Sequence, residues 1–72
     1  MRFMKVDVAR IKLERIKKGW SQTQLARVIG SHPSLISQIE GGTVGGSPST
    51  IKAISDALGI SMDELLETEK VS

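Results

Sequence analysis

Ser34, Ser37 and Gln38 fall at i, i+3 and i+4, so a helix through them carries all three on one face. Their chemistry is hydrogen bonding. A glutamine side chain sets an amide donor beside a carbonyl acceptor, the pair that matches an adenine edge, and serine donates or accepts. The opposite side of the same segment is apolar, with Ile36 and Ile39 in a stripe and Leu35 beside it. His32-Pro33 opens the segment, because proline suits the first helical position, where its missing N–H costs nothing. Glu40 and Gly41-Gly42 close it.

Catalytic chemistry finds little support. There is no GxSxG, P-loop or HExxH arrangement. GGTVGG, residues 41–46, is glycine-rich but lacks the lysine and the preceding strand of a phosphate loop. Asp56, Asp63, Glu64 and Glu67 form no catalytic pair, and Asp63 and Glu64 suit the positive end of a helix instead. His32 is a candidate helix cap, phosphate donor or metal ligand. With no cysteine and no second histidine, a metal role lacks partners. The reading is a binding protein, not an enzyme, with no cofactor and no metal.

The elements that must hold this face are helical. Val, Ile and Leu recur at three- and four-residue spacing, and no strand alternation is visible. Glycines divide the chain into five short segments. The first spans about residues 8–18, with Asp7 as N-cap and Lys17 and Lys18 at the negative end of the dipole. The second, 22–29, opens on the capping box Ser21-Gln22-Thr23-Gln24, with Trp20 placed to staple to Leu25, and Gly30 ends it. The third is Pro33–Glu40. Ser47-Pro48 starts a fourth, carrying Ile51, Ile54, Ala57 and Leu58 before Gly59. Ser61-Met62-Asp63-Glu64 is a second capping box, opening a short fifth helix with Leu65 and Leu66.

Seventy-two residues make one domain, with a core that buries only about 60% of the unfolded surface. At 39% apolar and 25% charged, the chain is too apolar for a disordered tail. The longest apolar runs are two residues, so no membrane span or signal peptide is expected, and the cytoplasm is the expected location. Charge is uneven. Residues 1–36 hold eight Lys and Arg against Asp7 and Glu14, net +6, whereas residues 37–72 hold Lys52 and Lys70 against six acids, net −4. A basic half suits a polyanion, though it also suits a solvated surface.

Two short helices joined through a glycine, 22–29 and Pro33–Glu40, form a helix-turn-helix candidate. The run SQTQLARVIGSHPSLISQIEGG, followed by PSTIKAISDALGISMDELL, resembles the Cro/C1-type (Xre) helix-turn-helix family over about residues 8–66. The resemblance implies an all-α, five-helix bundle of the lambda-repressor-like kind. It also implies a homodimeric transcriptional regulator, read as a repressor, on a palindromic double-stranded DNA operator. By the same resemblance, Pro33, Ser34, Ser37 and Gln38 face base edges. Ser21, Gln22, His32, Thr43 and Ser47 face phosphates, and Arg15 and Glu40 form a structural ion pair.

Residues 1–7 are then an N-terminal arm, 8–66 the DNA-binding domain, and 67–72 a polar tail. The chain departs from the family in that neither the third helix nor the loop after it carries Lys or Arg. Phosphate affinity must then come from amides, hydroxyls and the first two helices. Pro33 offers only apolar contact, as to a thymine methyl. A rival reading makes the bundle a protein-interaction module, such as an antitoxin or accessory regulator. Its partner would cover the fifth helix through an exposed patch at Leu65, Leu66 and Val71, residues that also suit a dimer interface.

Overall fold

Each helix begins at a side chain able to close its first turn. In the computed structural model, which describes the backbone of residues 4–43 and 46–68 and the side chains of 6–43 and 46–66, these helices are α1 (Val8–Lys17), α2 (Gln22–Val28), α3 (Pro33–Glu40), α4 (Pro48–Leu58) and α5 (Met62–Leu65). Asp7 Oδ1 accepts from the Arg10 amide at 3.0 Å. The Ser21 box is reciprocal, with Gln24 N donating to Ser21 Oγ at 3.1 Å and Ser21 N donating to Gln24 Oε1 at 2.8 Å. Ser61 and Glu64 repeat it ahead of α5. Ser47 Oγ accepts from Thr50 N at 3.3 Å, with Pro48 at the first position of α4. Each cap is worth about 1 kcal/mol.

All five helices contribute to one core. Ile11 of α1, Leu25 and Ala26 of α2, Ile36 and Ile39 of α3, Ile51, Ile54 and Leu58 of α4, and Leu65 of α5 are buried. Trp20, Ile29, Leu35, Ala57, Ile60 and Met62 pack around them. Gly46 admits the chain to α4 at φ +73°, and a Cβ there would stand 3.2 Å from Ile39 Cδ1 and 3.3 Å from Ile51 Cδ1. No helix among the described residues is long and apolar enough to cross a membrane.

Two features differ from the sequence expectation. Met4–Val6 (β1) and Leu66–Thr68 (β2) form a two-stranded antiparallel ribbon, with Met4 opposite Thr68, Lys5 opposite Glu67 and Val6 opposite Leu66. The Asp7 amide, donating to the Leu65 carbonyl at 2.7 Å, leads the ribbon into α1. Arm and tail thus meet over these residues. Three-residue strands are too short for alternation to register, and their partners sit at opposite ends of the sequence. The second difference concerns the fifth helix. Leu65 is fully buried and Leu66 is a half-buried strand residue, so they do not make the exposed patch the rival reading needs, and Val71 lies outside the described residues. A helix of one turn has two apolar side chains, Met62 and Leu65, and the core takes Leu65 wholly and Met62 in part.

Candidate nucleic-acid interface

The packing of α3 settles which of its side chains face outward. Ile36 and Ile39 are completely buried, with Leu35 half-buried beside them. Ser34, Ser37 and Gln38 are exposed and Pro33 is half-exposed. No hydrogen bond of the described residues engages the side chains of Ser37 and Gln38, whose polar groups therefore stay available. Ser34 is tied locally, since its hydroxyl lies 3.0 Å from His32 Nδ1. His32 is the N-cap of α3, its Nδ1 accepting from Ser34 N at 3.4 Å.

α3 packs most extensively on α2. The turn between them closes with Ser31 N donating to Ala26 O at 2.7 Å, and Gly30 takes φ +69°, a conformation that strains any side chain bearing a Cβ. The pair is also held from α1. Arg15 Nε and Nη2 grip Glu40 Oε2 and Oε1 at 2.7 and 3.0 Å, a two-point contact between side chains only 10% and 4% exposed. Arg15 Nη1 adds a 2.8 Å bond to the Trp20 carbonyl, just before α2. Gln22 Nε2 donates to Glu40 Oε1 at 3.2 Å. The Glu40 carboxylate at the end of α3 thus gathers α1 and the first residue of α2, and Arg15 extends the cluster to the entry to α2.

This cluster bears on the phosphate set. The capping box occupies the amides of Ser21 and Gln24, so those of Gln22 and Thr23 are the remaining first-turn donors of α2. The Gln22 side chain is shared with Glu40 and has one further N–H to offer. Thr43 is exposed just past α3, its amide donating to Gln38 O at 2.9 Å. Ser47 is exposed at the head of α4, its hydroxyl 3.1 Å from Ser49 Oγ and 3.0 Å from Thr50 Oγ1. The intervening residues 44–45 lie outside the described set.

Away from this face, Arg10 Nε holds Glu14 Oε2 at 2.8 Å and its Nη2 reaches Glu64 Oε1 at 3.1 Å, joining α1 to α5. The Arg10 hydrogen bond lowers the Glu14 carboxyl below its ordinary range. Glu64 is lowered first by the Ser61 amide and then by Arg10. The sequence signalled the first pairing through its i, i+4 spacing. Nothing local signalled the second, nor the Gln22–Glu40 and Arg15–Trp20 bonds. Lys18 Nζ lies 5.5 Å from the Trp20 ring centroid, so the half-buried indole serves packing and a cation–π contact.

The sequence model of the helix-turn-helix family matches residues 11–65. No curated protein matches the chain. Among solved structures, the hypothetical transcription factor NHTF from Neisseria is similar at 32% identity and TM-score 0.76, over 79% of this chain and 64% of that one. SinR, described as the master regulator for biofilm formation and crystallised with DNA, is 32% identical with TM-score 0.72, over 78% of this chain and 90% of that one. The SinR protein/SinI protein complex also matches, at 31% identity and TM-score 0.74, over 79% of this chain and 56% of that one. The chain therefore spans under two thirds of the first and third of these.

Proposed function

The chain belongs to the helix-turn-helix family of the Cro/C1 (Xre) type, and from that premise we propose that it is a sequence-specific double-stranded DNA-binding regulator, acting as a repressor in the cytoplasm. The observation that carries this reading is the two-sided α3. Its Ile36/Ile39 side is locked into the core, and its Ser34, Ser37 and Gln38 side stands free of the fold. An α-helix fills the major groove, and residues near its N-terminus reach base edges.

In this reading Gln38 reads a base bidentately, Ser37 and Ser34 add single hydrogen bonds, and Pro33 packs on a methyl. Ser21, Gln22, His32, Thr43 and Ser47 hold the backbone through hydroxyl, amide and imidazole donors. The chain acts as a homodimer, placing two α3 helices about 34–36 Å apart on one face of a palindromic operator. The Arg15–Glu40 pair fixes the angle at which α3 is presented. SinR, similar in fold and sequence, is solved with DNA, which supports the same reading here.

The test is selection of bound duplexes from a randomised pool at low and moderate salt. Enrichment of a two-fold symmetric sequence, with affinity falling as salt rises, is the expected result. Binding without enrichment, lost at moderate salt, would reduce the interaction to the basic charge of the first half of the chain and overturn the proposal.

A further inference from the structure

The outer face of α1 is apolar where the fold has no use for it. Ile11 and Arg15 point inward, the first into the core and the second into the Glu40 pair. On the other side Ala9, Leu13 and Ile16 are exposed, Leu13 at 52% and Ile16 at 55%. Their spacing is four and then three, the repeat of a coiled-coil seam. With Ala9 and Ile16 at d positions and Leu13 at a, Lys12 falls at g and Arg10 and Lys17 fall at e. Both edges of the seam are basic. Two acids adjoin the seam: Glu14 lies 2.8 Å from Arg10 and 3.7 Å from Lys17, and Glu64 lies 3.1 Å from Arg10, so the positive charge the edges offer rests on Lys12 and Lys17.

Charge selects the occupant. A second copy of α1 packed in parallel would set Lys12 against Lys17, and packed antiparallel, with Leu13 against Ile16, would set Arg10 against Lys17. Like charges face each other either way. A nucleic acid would meet the lysines and leave Leu13 and Ile16 in water. A helix with apolar a and d positions and acidic e and g positions satisfies both the seam and its edges. We infer that the outer face of α1 docks an acidic amphipathic helix of a partner protein. The seam is about 10 Å long at 1.5 Å per residue, which makes this a transient contact rather than an obligate one. It does not depend on the duplex-binding reading, because Leu13 and Ile16 take no part in that face.

The probe is a labelled helical peptide about three heptads long, with Leu at a and d and Glu at e and g, beside a twin carrying Lys at e and g. Anisotropy titration reads affinity, and amide NMR shifts read location. The Glu peptide binds saturably, with shifts centred on residues 9–17. Leu13→Ala with Ile16→Ala weakens it about tenfold or more and leaves duplex affinity unchanged. Lys12→Glu with Lys17→Glu reverses the preference to the Lys peptide, an outcome that damage to the fold does not produce. Four results would overturn the inference: no saturable binding, shifts centred on α3, equal affinity for both peptides, or sedimentation showing self-association that Leu13→Ala with Ile16→Ala abolishes. So would binding to phosphatidylserine-containing vesicles through Leu13 and Ile16 with the peptide ignored.

Discussion

Gln38 and Glu40 sit two positions apart on α3 and do opposite work. Gln38 is exposed and unengaged, and Glu40 is almost wholly buried beneath Arg15 and Gln22. Replacing Gln38 with Ala removes a potential base reader and no packing. On the selected operator it should cost about 1–3 kcal/mol of binding and relax preference at one position of each half-site, with the melting temperature unchanged. Titration against the operator and its single-base variants checks this, and full affinity in the variant would remove Gln38 from the base-reading set. That Gln38 faces outward was legible from its i+4 relation to Ser34 and from the Ile36/Ile39 stripe behind it. That Ser34 is bonded to the His32 ring was not, because that contact depends on the rotamers of both side chains.

At the scale of elements, one buried ion pair joins α1 to the end of α3. A buried pair with one partner removed leaves an uncompensated charge, costing about 3–5 kcal/mol, whereas replacing both with apolar groups is often neutral. Glu40→Gln should therefore lower the urea midpoint strongly, and Arg15→Met with Glu40→Leu should recover much of the loss. The double variant tests presentation as well as stability. If the pair sets the angle of α3, operator affinity stays reduced even where stability returns. A double variant as unstable as Glu40→Gln would show that the trio with Gln22, not the pair, is the unit. The family resemblance singled out Arg15 and Glu40. The extra bonds to Trp20 O and Gln22 come from the packing of α1 against the α2–α3 unit, which no local pattern encodes.

The whole molecule is closed by contacts between its ends. The ribbon pairs β1 with β2, and Arg10 ties α1 to the Ser61 cap of α5 through Glu64. Glu14 and Glu64 both have carboxyl groups held below their ordinary range. Their contribution is full above the ordinary carboxylate range and is lost as pH falls through the lowered values. Arg10→Gln removes the main cause at Glu14 and the second cause at Glu64. The variant should be less stable than the parent near neutral pH, with the gap narrowing as the solution is acidified. Denaturant midpoints across that range read it directly, and a gap independent of pH would assign the role of Arg10 to packing of its stem.

The sequence by itself determined where the helices start and stop and which face of α3 is free. The Asp7, Ser21, Ser47 and Ser61 caps, the Pro33 and Pro48 starts, the Gly30 and Gly59 stops and the isoleucine stripes act within a turn or two, so their physics is local. Tertiary structure decided the rest. It paired three-residue strands from opposite ends, buried Leu65 and left Leu13 and Ile16 outside. It also brought Gln22 to Glu40 and Arg10 to Glu64. Each of these depends on which surfaces the helices leave each other when they share so small a core, and that competition exists only once all five are assembled.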